Sequence, residues 1–145
     1  MSEQISILVI DDSSMTRQLL KSTLSRKDFV VYVAEDGPSG IDLAQKEDID
    51  VILLDWMMPG MDGMEVFRQL KQNEKTRQVP VFMLTSKDAG GDIDQAMSTG
   101  IDDYIVKPFS TSEIDKTIRN KLKKTRDANV DKKKFSLTNV FSKNS

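Results

Sequence analysis

Short apolar runs alternate with amphipathic stretches along most of this chain of 145 residues. Ile5–Ile10 is apolar but for Ser6, as expected of a strand covered on both faces. Asp12 and Ser13 then offer N-caps to a helix with Met15, Leu19, Leu20 and Leu24 on one stripe. Phe29–Ala34 reads as a second strand, ended by the turn Glu35-Asp36-Gly37. A helix over Pro38–Glu47 follows, with Ile41, Leu43 and Ala44 facing inward. Val51–Leu54 is a third strand, Met58–Gly63 a turn-rich loop, and Met64–Gln72 a helix burying Val66, Phe67 and Leu70. Pro80–Leu84 is a fourth strand, and Gly90-Gly91 precedes a short helix around Ile93–Ser98, stopped near Gly100. Asp103–Val106 is a fifth strand, closed by Pro108, which cannot donate to a ladder. Ser110 or Thr111 caps a last helix in which Ile114, Ile118 and Leu122 recur every fourth residue.

Five strand–helix repeats predict an α/β fold, a doubly wound five-stranded parallel sheet with helices on both faces. Its domain is expected to span residues 1–124. Residues 125–145 show no sixth repeat, and Lys132-Lys133-Lys134 interrupts them. They are expected to be a disordered tail or, on the strength of Phe135, Leu137, Val140 and Phe141, a short docking segment that could be helical.

In such folds the functional crevice lies at the carboxyl ends of the strands. Three of the runs end there on charge: Asp11 and Asp12 after the first, Asp55 after the third, Lys107 after the fifth. Thr85 follows the fourth. Taken singly, the two leading aspartates could cap a helix and Thr85 could bond the nearby backbone. Together, three carboxylates at one sheet edge repel one another unless a divalent cation and a lysine share the space. That constellation suggests a magnesium-dependent site where one aspartate accepts a phosphoryl group. Asp12 and Asp55 could ligate the ion directly and Asp11 through water. Lys107 would pair with the acceptor and then with a phosphoryl oxygen.

Composition narrows the chemistry. The chain has no cysteine, which removes disulfides and thiolate chemistry. It has no histidine either, so serine–histidine triads cannot form and any phosphohistidine belongs to a partner. A net charge of -2 asks for neither nucleic acid nor membrane. No apolar run approaches the ~20 residues that span a bilayer, and Met1–Gln4 lacks a signal-peptide pattern. A cytoplasmic location is expected. No phosphate-binding glycine motif follows Ile10, which disfavours nucleotide binding. Asp11 and Asp12 are adjacent rather than one residue apart, which disfavours an aspartyl-phosphate phosphatase.

These segments resemble response-regulator receiver domains, and CheY-like single-domain members in particular. The resemblance rests on Leu8–Ser13, Ala34–Gly37, Leu54–Gly63, Leu84–Ser86 and Tyr104–Phe109, in order and at family-like spacing. It implies a (βα)5 flavodoxin-like receiver that is not a turnover enzyme. Asp55 would take its phosphoryl group from a histidine kinase, and Asp11, Asp12, Asp55 and the main-chain carbonyl of Met57 would hold Mg2+. Thr85 and Lys107 would be the switch hydroxyl and lysine, and Tyr104 the aromatic that swings inward. The output face would be the fourth helix, fifth strand and fifth helix, presented to a flagellar motor switch or another effector. The alternative is a phosphorelay intermediate or phosphate sink. A monomer is expected, with dimerisation on phosphorylation left open. Two positions depart from CheY: Met57 replaces an asparagine and Lys87 an acid, both beside the hydrolytic water. Slower autodephosphorylation than in CheY is therefore expected.

Overall fold

The computed structural model describes the backbone of residues 4–86 and 90–143, and the side chains of residues 4–86 and 93–128. Five strands, β1 (Ile5–Ile10), β2 (Phe29–Ala34), β3 (Val51–Asp55), β4 (Val81–Ser86) and β5 (Asp103–Lys107), form one parallel sheet in the order β2-β1-β3-β4-β5. The connecting helices are α1 (Ser14–Ser25), α2 (Gly37–Lys46), α3 (Gly63–Gln72) and α4 (Gly90–Thr99), and α5 (Ile114–Lys143) follows β5. The doubly wound arrangement read from the sequence is the one observed.

Side-chain alternation along each strand divides the core into two layers. Leu8, Ile10, Ile52, Leu54, Val81 and Met83 pack with Val66, Phe67, Leu70 and Ala96 of α3 and α4. Ile7, Val9, Val51, Leu53, Phe82 and Leu84 pack with Leu20 and Leu24 of α1 and Ile114, Ile118 and Leu122 of α5. Every residue of β3 is buried, because the strand is flanked on both edges and covered on both faces.

The register aligns the strand ends. Ile10 pairs with Leu54, Asp55 with Leu84, Thr85 with Val106, and Ser86 with Lys107. The charged residues that close β1, β3 and β5 thus come to one level of one edge.

Three expectations change. Met15 and Leu19 are 77% and 41% exposed, although the sequence places them on the stripe of Leu20 and Leu24. They lie off the sheet contact and line an apolar groove of about 380 Å³ with Pro108 and Phe109. Helix α4 begins at Gly90, three residues before the expected start, so Gly90-Gly91 falls inside its first turn. Helix α5 runs past Lys124 to Lys143, so its backbone shows no break where the composition changes. Side chains from residue 129 onward, Lys132–Lys134 included, lie outside the described residues, as does Lys87.

Candidate functional site

The loop after β1 is built to release one carboxylate and bury another. Ser13 caps α1, its hydroxyl accepting from the Thr16 N–H at 3.2 Å, so neither aspartate is needed for that role. Asp11 is fully buried. Its Oδ1 accepts the Ser13 N–H at 2.9 Å, and its Oδ2 accepts from Lys107 Nζ at 2.8 Å. Its carbonyl accepts from Arg17 Nη1 at 2.8 Å. Asp12, beside it, is exposed.

Asp55 closes β3 and is almost entirely buried. Its Oδ1 accepts the Met57 N–H at 3.3 Å and lies 3.7 Å from Lys107 Nζ. The following loop is pinned by Trp56 N–H to the Leu84 carbonyl (3.2 Å) and Gly63 N–H to the Trp56 carbonyl (3.1 Å). A Cβ on Gly63 would stand 2.7 Å from Trp56 Cα and 2.9 Å from the Asp55 carbonyl, so only glycine admits this approach. Met57 itself is 70% exposed.

Asp11, Asp12 and Asp55 each offer a carboxylate oxygen within 4.8 Å of the others. Burial first, then the charge of Asp11 and a hydrogen bond with Asp12, push the Asp55 carboxyl up against the opposing Lys107 and Met57 N–H, to about 7 in all. Lys107 alone therefore leaves the cluster short of positive charge. The donors are all hard oxygens, with one acid open to solvent, which suits a small divalent cation that keeps part of its water shell.

Lys107 stands closer to Asp11 than to Asp55, the partner expected from the sequence. Asp11 has no solvent contact, so its charge has the greater need of the ammonium. Thr85, at the end of β4, is buried and donates only a long 3.4 Å bond to the Ser86 carbonyl. Tyr104 lies opposite Met83, two residues from Thr85 on the same face of the sheet, and packs half-buried against the α3–α4 layer. The sequence reading missed Arg17, which fixes the β1–α1 loop through a backbone carbonyl that no side-chain pattern announces.

Residues 7–119 match the family model of the response regulator receiver domain. The chain belongs to the response-regulator receiver family. Solved receiver structures share the fold. The chemotaxis protein CheY4 of Vibrio cholerae is 30% identical with a TM-score of 0.76, over 81% of this chain and 98% of that one. A putative response regulator from Chloroflexus aurantiacus is 25% identical with a TM-score of 0.75, over 82% and 98%. The receiver domain of the Pseudomonas aeruginosa sensor histidine kinase PA1611 is 26% identical with a TM-score of 0.73, over 82% and 98%. That last structure carries a magnesium ion coordinated in its active-site cleft. This receiver has the CheY-like fold, and its acidic cluster occupies the strand ends where the fold places its crevice. Among the described residues no helix is long and apolar enough to cross a membrane.

Proposed function

We infer that this receiver is a phosphorylation-driven signalling switch whose acceptor is Asp55. The carrying observation is the three-carboxylate cluster with Lys107 at the carboxyl edge of the sheet. An Asp55 oxygen attacks the phosphorus of a partner's phosphohistidine. A new P–O bond forms as the P–N bond breaks, and the imidazole leaves with the donor. Asp12 and Asp55, with the Met57 carbonyl, would hold Mg2+, which supplies charge neutralisation to the phosphoryl oxygens. Asp11, already bonded to Lys107 and the Ser13 N–H, would act on it through water. Lys107 needs only a short shift from Asp11 to meet a phosphoryl oxygen.

The output follows from Thr85 and Tyr104. Because the Thr85 hydroxyl is held only weakly at Ser86, a phosphoryl oxygen competes for it readily. Its departure opens space on the face it shares with Tyr104, whose ring then turns inward. The face formed by α4, β5 and α5 thereby changes shape for an effector, in chemotaxis or a related pathway. The donor is a histidine kinase, and the location is cytoplasmic.

The test uses Trp56, the only tryptophan of the chain. Its fluorescence should change when magnesium and a small phosphodonor are added together, with one phosphoryl group gained by mass. Asp55→Asn should abolish the phosphodonor response and the mass change. Unphosphorylated wild-type protein under those conditions would end this reading.

A further inference from the structure

Strand β5 is an edge of the sheet, and what holds Tyr104 there is unusual in its origin. Helix α5 packs on the α1 side through Ile114, Ile118 and Leu122. Tyr104 packs on the opposite side, against the layer that contains Met83 and Ala96. One α5 side chain nevertheless reaches the ring. Lys121 places its Nζ 5.5 Å from the centre of the Tyr104 ring and 3.0 Å from Asp103 Oδ1. The same Asp103 oxygen accepts the backbone N–H of Tyr104 at 2.8 Å. Both charged side chains are only about a quarter exposed, at 26% and 24%. A groove of about 340 Å³ runs along this edge, with Tyr104, Thr117 and Lys121 in its walls.

We propose that Lys121, anchored by Asp103, is a positioning residue that holds the Tyr104 ring at the sheet edge and sets how readily it leaves. The ammonium faces two groups it favours at once, a carboxylate and an aromatic ring. The shared Asp103 oxygen joins that ammonium to the strand backbone at Tyr104 itself. The ring therefore cannot turn inward without giving up its cation, and a cation–ring contact of this exposure weights the outward position about two- to five-fold. The inference rests on Tyr104 as the moving aromatic of the switch, and its test separates the two.

The full chain, labelled with 3-fluorotyrosine, gives fluorine resonances from Tyr32 and Tyr104, its two tyrosines. A Tyr32→Phe variant assigns them. In protein without phosphodonor, Lys121→Met should move the Tyr104 signal toward the position that wild type reaches with magnesium and phosphodonor. Lys121→Arg should keep the wild-type position, and Asp103→Asn should move it part of the way. Phosphodonor reaction, followed by Trp56, should quicken about two- to five-fold in Lys121→Met. A Tyr104 signal in Lys121→Met that coincides with wild type would overturn the proposal. A variant shift seen where phosphodonor leaves the wild-type signal unmoved would uphold the restraint and remove Tyr104 from the switch.

Discussion

Asp55 carries the sharpest consequence at the scale of one residue. In the fold it keeps its proton up to about pH 7, against 3.8 for an ordinary aspartate. Between those values the folded chain holds more protons than the unfolded one, so stability falls as pH rises through that window. Without magnesium, Asp55→Asn should thus exceed wild type by about 1–3 kcal/mol at pH 8, a figure discounted for solvent screening, and match it near pH 4. Urea unfolding in the presence of chelator measures the difference, and magnesium should narrow it. Met57 makes a second expectation. Its exposed thioether cannot orient an attacking water, so Met57→Asn should shorten the phosphorylated half-life severalfold, read by decay of the Trp56 signal. The positions of Asp11, Asp12, Asp55, Thr85 and Lys107 were legible because each closes an apolar run. Which acid Lys107 prefers was not legible, since burial and side-chain reach decide it. The Lys121–Asp103 pair joins a helix to the start of a strand and leaves no local pattern at all.

At the scale of elements, Gly40 and Gly63 make close approaches with different outcomes. A Cβ on Gly40 of α2 would stand 2.5 Å from the tip of Ile10, a side chain in a filled layer. Gly40→Ala should cost about 1–3 kcal/mol in urea unfolding, with the phosphodonor reaction largely intact. Gly63→Ala meets the backbone of Trp56 and Asp55 instead, so it should also slow that reaction. The strand–helix alternation was readable because each strand is a short apolar block between turn residues. Helix limits were less so. A hydrophobic stripe cannot distinguish sheet contact from the flank that Met15 and Leu19 occupy. The continuation of α5 mixes Lys with the weak helix formers Thr, Asn, Ser and Val, and its apolar residues Phe135, Leu137, Val140 and Phe141 keep no clean helical period, so its helical backbone had no pattern to announce it.

For the molecule as a whole, the described part of α5 joins the core through Ile114, Ile118 and Leu122. Leu122 is its last buried residue among those described, and residues 126–128 are exposed. The strand order has a mechanical reading as well. Asp55 ends the central strand, Thr85 the next one out, and Tyr104 and Lys107 belong to the edge. Burial loosens in the same direction, from a wholly buried β3 to a β5 with one buried residue. Amide hydrogen exchange should follow it, slowest in β3 and fastest in β5. The sheet is thus graded in stiffness: charge arrives where the backbone yields least, and the displacement it causes emerges where the backbone yields most.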